Sequence, residues 1–274
     1  MAIVRSGLQN LRKWPHNPRV WTLFILLLYF SRRVSSFLEP ISLSAGKKLS
    51  PWLLPYLLHD RFFLLCVSLC MLLFFCDAPF LDNLQPYTLF RIGRRRWLIG
   101  QLLYIGLCGL LIMVVLEAGL LFFARDRLTW TTDWGPCLRM LAHDNPFFSR
   151  LAENLVLSRE AVPVFVQTFL MGWLIAWLLG SLVLFLNLLL NRSVGILIGC
   201  AFCVLDYALA IAIEDSPLMF WLCPISWMNP ELYTGGNAWK WLPRIGIAVA
   251  LIGLLGLLSW RILRRYTIEL APET

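Results

Sequence analysis

The chain has 274 residues, of which 59% are hydrophobic and only 15% are charged, and its formal net charge is +8. Ordinary soluble domains carry about 25% charged residues, and a domain of this size has no interior large enough to hide so many apolar side chains. The composition therefore excludes a soluble enzyme, a disordered chain and a fibrous repeat, and it indicates a polytopic membrane protein.

Six apolar runs have about the length of a transmembrane helix, which takes roughly 20 apolar residues. They lack the alternating pattern of a membrane β-barrel, so we expect helices, in which each backbone group pairs within its own segment. The predicted spans cover residues 18–38, 62–76, 97–124, 162–190, 193–213 and 243–263. The sequence thus predicts an all-α polytopic membrane protein with one transmembrane domain over 1–274.

The first of these runs has a dense apolar core of only residues 21–30, and Ser31-Arg32-Arg33 follows it directly. Two interpretations stay open. In the first, the two arginines extend to the outer membrane interface and the run spans the bilayer. In the second, the run is a signal peptide with small residues for cleavage at 34–36, which leaves five spans and puts the termini on opposite sides.

The distribution of Lys and Arg predicts the orientation of the spans, because short cytoplasmic loops carry an excess of them. Half of the 24 basic residues lie in short segments on the side of the two termini, and the rest are spread over longer loops on the other side. The inner segments are 1–19, 77–96, 191–192 and 261–274, and the outer loops are 39–60, 125–161 and 214–241. We therefore expect both termini in the cytoplasm, with the net positive charge serving topology and contact with anionic lipids. No nucleic acid partner is needed to explain it.

The outer loops contain apolar stretches that are interrupted by proline, notably 51–58 and 218–227. Such stretches suit re-entrant or interfacial helices that dip toward the membrane. Two interpretations follow from them: a small outer cap, or an exit gate for a transported substrate.

The inner loop 77–96 has more polar residues than a simple turn needs. A short amphipathic helix is predicted within it, because residues at positions i, i+3, i+4 and i+7 share one face. That face consists of Leu84, Tyr87, Thr88 and Arg91. Gly93 is placed to end the helix, and the arginines at 94–96 then lie at the membrane edge. A stop-transfer anchor explains the arginines alone, whereas the amphipathic helix indicates a docking element for a cytoplasmic partner.

Three polar side chains lie inside predicted spans: Glu117, Asn187 and Asp206. Ionisable groups in lipid are costly and are functional candidates for that reason. One interpretation is hydrogen bonding between helices, with Asn187 as a partner for Asp206. The other is a role in a substrate path or in proton-linked transport.

Sequence motifs for chemistry within the chain are absent. There is no nucleotide-binding G-x-x-x-x-G-K-[ST] or G-x-G-x-x-G, no H-E-x-x-H and no G-x-S-x-G. The three histidines are scattered over different loops, so no metal site is expected. We expect no enzyme and no cofactor, since an intramembrane enzyme using Asp206 or Glu117 lacks a second matched catalytic group. Cys137 and Cys223, the two cysteines in outer loops, form a candidate disulfide if the outside is oxidising.

The layout of six spans, inner termini, an amphipathic helix after the second span and an irregular outer segment before the last resembles an ABC-2 type transporter permease. Sequence stretches in the first inner loop look like those of permeases found in Firmicutes beside ABC ATPase genes. They are Asp77-Ala-Pro-Phe, Gln85-x-Tyr87-x-x-x-Arg91-x-Gly93-Arg94-Arg95-x-Trp97 and Gly100-Gln101-x-x-Tyr104. Pro224-Ile-Ser-Trp-Met-Asn-Pro is similar to a Pro-x-x-Trp element of the same permeases.

This resemblance implies the transmembrane subunit of an ABC exporter in the bacterial plasma membrane. The loop 77–96 would be the coupling helix that rests in a groove of a separately encoded cytoplasmic ABC ATPase. The coupling residues would be Gln85, Tyr87, Arg91, Gly93, Arg94 and Arg95. ATP and Mg²⁺ would bind to that ATPase, and a second permease copy or a related permease would complete the assembly. The alternative function is a multi-pass membrane protein without transport activity, such as an assembly or sensory factor.

Overall fold

The structure is a computed structural model that describes residues 14–80, 93–144, 155–156, 159–213, 219–233 and 240–265. Three of the predicted coupling residues, Gln85, Tyr87 and Arg91, lie outside the described residues, as does the whole of the predicted helix 84–91. Both chain termini also lie outside them.

The regular secondary structure of the described chain is helical, which confirms the prediction of an all-α protein for this part of the sequence. The helices are α1 (Pro18–Ala45), α2 (Leu54–His59), α3 (Arg61–Phe75), α4 (Arg94–Ala124), α5 (Gly135–Asp144), α6 (Ala161–Leu189), α7 (Arg192–Ala212), α8 (Met219–Leu222) and α9 (Trp241–Arg265). Short 3₁₀ helices cover Trp14–His16, Arg125–Arg127, Ile225–Met228 and Pro230–Tyr233. No β-strand occurs among the described residues, where a single isolated bridge joins Leu49 and Leu128.

Within the described residues, five helices are long and apolar enough to cross a membrane by length and composition: α1, α4, α6, α7 and α9. The run predicted as the second span forms α3, which has 15 residues. At 1.5 Å per residue it is about 22 Å long, shorter than the roughly 30 Å hydrocarbon core of a bilayer. These long apolar helices are those of a multi-pass membrane protein.

Helix α6 occupies the centre of the bundle, and it contacts α3, α4, α7 and α9 as well as the short helix α2. About two thirds of its most apolar stretch is buried inside the protein, whereas α1, α7 and α9 leave most of theirs exposed. Exposed leucines and isoleucines on these three outer helices suit contact with lipid.

Helix α1 continues past the predicted end of the first span, through Pro40 to Ala45. It stops at Gly46, whose φ of 62° is left-handed and whose N–H donates to Leu43 O, as in a Schellman-type helix end. Arg32, which made this span uncertain in the sequence, lies over the Phe123 ring of α4 at 5.8 Å and is 3.7 Å from Glu39. The helix thus packs as a full member of the bundle despite its arginines.

Small residues allow α4 and α6 to approach closely, as they do between membrane helices generally. A Cβ atom at Gly109 would lie 3.0 Å from the Cβ of Ala176, and one at Gly106 would lie 2.9 Å from the Trp177 ring. Trp173 stacks on Trp177 and its indole N–H donates to Gly106 O at 2.8 Å. The tryptophan pair therefore forms part of the α4–α6 packing interface.

Candidate functional site

Six helix ends meet at one end of the bundle, which we call the arginine-rich end. They are the starts of α1, α4 and α7 and the ends of α3, α6 and α9, and contacts between them are described below. The segment 81–92, which contains the predicted coupling helix, leaves the described structure from the end of α3 and returns at the start of α4. The residues that hold the two ends of this segment form the first candidate site.

Asp77, just after α3, joins the starts of two other helices. It forms an ion pair with Arg19 at the start of α1, and its Oδ1 is 3.7 Å from Arg192 Nη1 at the start of α7. Arg19 Nη1 also donates to Cys76 Sγ at 2.9 Å. Because these side chains are partly exposed, each ion pair contributes only about 0–1 kcal/mol. They fix the relative position of three helix ends more than they stabilise the fold.

Asn187, near the end of α6, holds the same turn from the buried side. Its Nδ2 donates to Cys76 O at 3.0 Å and to Ala78 O at 2.6 Å. Asn187 is buried, and Gly195 of α7 packs so closely against it that a Cβ atom there would overlap the amide. The turn after α3 is therefore bonded to α6 through a side chain that a larger neighbour would displace.

Aromatic side chains attach the turn to α4 as well. The Phe80 ring meets the Tyr104 ring edge-on at 5.0 Å. Tyr104 in turn accepts a hydrogen bond from the Trp14 indole N–H at 2.8 Å. Phe80 has a φ of 56°, a left-handed conformation that costs a non-glycine residue of order 1 kcal/mol or more and that its surroundings must compensate.

The returning end of the segment is bonded to the last helix. Gly93 has a φ of 87° and directly precedes α4, a conformation that glycine adopts without a steric penalty. Arg94 Nη1 donates to Leu263 O at 3.1 Å and to Arg264 O at 3.2 Å. These are carbonyls of the final turn of α9, which lack partners within the helix and which a cation stabilises through the helix dipole. Arg95 is exposed at the surface beside them.

Together these contacts bond the two ends of segment 81–92 to α1, α4, α6, α7 and α9. They therefore connect the turn after α3 and the start of α4 to every long apolar helix that the structure describes. Of the predicted coupling residues in the described chain, Arg94 bonds to α9, Gly93 has a positive φ at the start of α4, and Arg95 is exposed. Arg19 and Arg192 were not among the predicted coupling residues. Their charge was the available signal, because Arg19, Asp77 and Arg192 each lie in a predicted inner segment.

The opposite end of the bundle, which we call the cap, is where the outer loops pack on one another. Leu49 and the 127–129 segment exchange backbone hydrogen bonds of 2.8 Å, and the Trp52 indole donates to Thr131 O at 2.9 Å. The stretch 51–58, predicted as a Pro-broken re-entrant piece, forms the buried helix α2 between α3, α4 and α6. Asn229 Nδ2 donates to His59 O at 3.2 Å, and so joins the first outer loop to the third.

Asp206 of α7 bonds to the cap and not to another membrane helix. Its Oδ2 accepts from the Ile225 backbone N–H at 3.1 Å, and its Oδ1 accepts from the Ser226 hydroxyl at 3.2 Å. The adjoining cavity has a volume of about 10 Å³, room for roughly one water molecule. Arg61, Tyr207 and Asn229 also line it. The space suits a bound water better than a passage for substrate.

Glu117 of α4 faces the first outer loop. The backbone N–H of Leu54, at the start of α2, lies near its carboxyl group, and its buried Oε2 has no hydrogen-bond partner among the described residues. The other polar side chain predicted inside a span, Asn187, lies at the arginine-rich end and bonds to Cys76 and Ala78, so it does not pair with Asp206. Asn187 and Asp206 thus each bond to a segment outside the long helices.

The predicted disulfide between Cys137 and Cys223 is not formed, and all eight cysteines carry free thiols. The two side chains lie in different apolar clusters. Cys137 belongs to the main core, whereas Cys223 packs with Ala210 in a small separate cluster. Burial, and then the nearby Asp206 carboxylate, raises the pKa of the Cys223 thiol to about 11. This thiol therefore reacts slowly while the cap is docked.

Comparison with protein-family models, with curated proteins and with solved structures finds no match for this chain. Its candidate sites are therefore defined by their own geometry. At the arginine-rich end, five helices hold the two ends of segment 81–92. At the cap, Asp206 bonds the third outer loop to α7.

Proposed function

We propose that this chain is the membrane-spanning permease subunit of an ABC exporter in the bacterial plasma membrane. It crosses the membrane six times, with α3 as the second crossing and both termini in the cytoplasm. A separately encoded ABC ATPase docks on the loop 77–96 through Gln85, Tyr87, Arg91, Arg94 and Arg95, with Gly93 shaping the loop. ATP and Mg²⁺ bind to that ATPase, and the permease acts as a dimer with a second copy or a related permease.

One observation carries this proposal: the two ends of segment 81–92 are bonded to the other long helices. A coupling element has to pass a displacement into the membrane domain, which requires a rigid attachment with discrete alternative arrangements. Asn187, Asp77 and Phe80 supply that attachment where the chain leaves α3. Arg94 supplies it where the chain returns, through the end of α9.

The orientation follows from charge at the same end of the bundle. Short basic segments stay on the cytoplasmic side, and at this end seven exposed or half-buried arginines lie in short segments beside the helix ends. They are Arg19, Arg94, Arg95, Arg96, Arg192, Arg261 and Arg264. A cytoplasmic ATPase and anionic lipid headgroups would both find this end accessible.

Transport then proceeds as a relay between the two ends. ATP binding closes the partner ATPase dimer and displaces the loop 77–96. The displacement moves α3 and α4 directly and reaches α6 and α7 through Asn187 and Arg192. At the cap, the hydrogen bonds of Asp206 hold the third outer loop closed until α7 shifts, and their release opens a path to the outside.

Co-expression with candidate ABC ATPases tests this function. We expect an ATPase to co-purify with the wild-type chain, and the Tyr87→Ala, Arg91→Glu double variant to lose that ATPase or its stimulated ATP hydrolysis. Arg125→Glu is the matched control, because it makes the same charge reversal on an exposed arginine at the cap. The proposal fails if no ATPase co-purifies, or if the double variant retains both the complex and its activity.

A further inference from the structure

The cap contains a polar cluster that has no part in the proposed transport relay. It is formed by Arg159, which precedes α6, by Gln167, which lies two turns into α6, and by Tyr233 of the third outer loop. Arg159 Nη1 donates to Gln167 Oε1 at 2.6 Å and to Tyr233 O at 3.4 Å. The guanidinium group therefore points down along α6 into the protein and does not extend into solvent.

Two side chains of this cluster have hydrogen-bond donors without a partner among the described residues. Gln167 is only 1% exposed, and its Nε2 has no hydrogen-bond partner in the part of the chain that the structure describes. A buried donor without a partner costs about 1–3 kcal/mol, so a side chain left in this state points to a missing acceptor. Arg159 is half-buried and, of its five N–H donors, those on Nη1 make the hydrogen bonds found within the described residues.

The electrostatic surroundings favour an anion as that acceptor. Arg244 lies over the ring of the same Tyr233, at 5.2 Å from the centroid. Helix α6 begins two residues after Arg159, and no side chain caps its first N–H groups, which leaves the positive end of the helix dipole open. Of the nearby carboxylates in the described part of the chain, Glu160 is exposed and Glu231 lies 3.3 Å from His59. Burial lowers the pKa of Arg159.

From the buried, unpartnered amide of Gln167, its contact with Arg159 and the uncapped start of α6, we propose that Arg159 and Gln167 form a phosphate-binding site in the cap. The planar guanidinium of Arg159 would bind two phosphate oxygens side by side, and the Gln167 amide would donate to one of them. Arg244 contributes positive field without contact. The phosphate belongs either to free phosphate or to the headgroup of an anionic phospholipid, and the two sources are separated by the test. This site does not depend on the transport proposal, because the chain alone provides every donor.

The test uses the purified full chain in detergent micelles and follows thermal unfolding by tryptophan fluorescence. Inorganic phosphate is titrated at constant ionic strength, and short-chain phosphatidylglycerol is titrated in parallel. We expect a saturable rise in Tm with at least one probe. The half-saturating concentration should increase about 10-fold or more in Arg159→Gln and in Gln167→Leu, as loss of a hydrogen bond to a charged ligand predicts. Arg125→Gln, an exposed arginine of the cap, should behave as wild type.

Saturation with inorganic phosphate assigns the site to a free phosphate group, and saturation with phosphatidylglycerol alone assigns it to a lipid headgroup. If Arg159→Gln shows no cooperative unfolding, Arg159→Lys and Gln167→Leu carry the test, because both retain a cation at the site. The proposal is overturned if neither probe gives a saturable rise, or if the half-saturating concentration is the same in the variants as in the wild type.

Discussion

Replacing Asp206 by leucine should release the third outer loop from α7. The substitution removes both acceptors of the hydrogen bonds from Ile225 N and Ser226 Oγ and leaves the Ile225 N–H buried without a partner. Each such loss costs about 1–3 kcal/mol, so we expect docking of the loop to weaken by about 2–4 kcal/mol. At 1.4 kcal/mol per factor of ten, the undocked population should rise by a factor of roughly 30 to several hundred.

Cys223 reports that population directly. It is fully buried beside the 3₁₀ helix 225–228, and its thiol pKa of about 11 keeps it largely protonated at pH 8. A membrane-impermeant maleimide applied to the outside of intact cells or to oriented vesicles should therefore label it slowly in the wild type and much faster in Asp206→Leu. A Cys137→Ala background removes the other outer-loop thiol.

The change of charge has to be separated from undocking, since the Asp206 carboxylate also contributes to the raised pKa of Cys223. Asp206→Asn is the matched control, because it removes the charge but keeps an oxygen for the Ile225 N–H and an amide for the Ser226 hydroxyl. Asp206→Asn should label only modestly faster than wild type. Equal labelling rates in Asp206→Leu and Asp206→Asn would refute the anchoring role. Loss of transport in Asp206→Asn, with Cys223 still protected, would favour the proton-linked interpretation.

Two further predictions concern the interior of the bundle. Asn187→Leu removes both hydrogen bonds to the turn after α3 and should lower the free energy of unfolding in mixed micelles by about 1–3 kcal/mol. Asn191→Leu is the control. Because Asn191 is exposed and makes no side-chain cap, its replacement should change the free energy of unfolding little. Gly180→Ala places a Cβ atom 3.0 Å from the Phe75 ring and into the side chain of Ile105, so overpacking should lower the free energy of unfolding by about 1–3 kcal/mol. The Cβ atom of Gly253→Ala meets nothing within 4 Å, so this control should be neutral or slightly stabilising. Unchanged stability in Asn187→Leu, or equal effects of the two glycine substitutions, would contradict the packing described here.

Most helix boundaries followed from hydrophobicity alone. The predicted spans 97–124, 162–190, 193–213 and 243–263 differ from α4, α6, α7 and α9 by at most three residues at either end. Such long apolar runs leave the backbone no alternative to a helix in lipid. The first span was less accurate, since Arg32 and Arg33 suggested an early end. Contact of Arg32 with Phe123 and Glu39 allows the helix to continue instead.

The polar contacts were far harder to predict than the helices. Glu117, Asn187 and Asp206 were recognised as unusual from their positions, but Asn187 and Asp206 bond mainly to backbone groups of loops. A backbone N–H or carbonyl is present at every residue, so no sequence pattern marks the one that a buried side chain will meet. The pairing of Asn187 with Asp206 failed for a geometric reason, because they lie at opposite ends of the bundle.

The disulfide failed for a related reason. Two cysteines on the same side of a membrane are candidates by topology, but a bond requires their Cα atoms to lie within about 7 Å. Packing of α5 in the main core and of Cys223 against α7 separates the two thiols into different clusters. Distances between loops depend on how the loops fold together, which the spacing of residues along the chain does not specify.

The most direct test of the coupling role of loop 77–96 measures whether the nucleotide state of the ATPase changes the exposure of Cys223 in the cap. Cys223 labelling should be followed in the complex with a co-purified ABC ATPase, in the absence of nucleotide and after trapping with ATP and vanadate. The relay predicts that trapping increases the labelling rate in the wild type, and that Asn187→Leu abolishes the increase while the ATPase remains bound. A labelling rate that does not respond to nucleotide in a complex that hydrolyses ATP would contradict the coupling role.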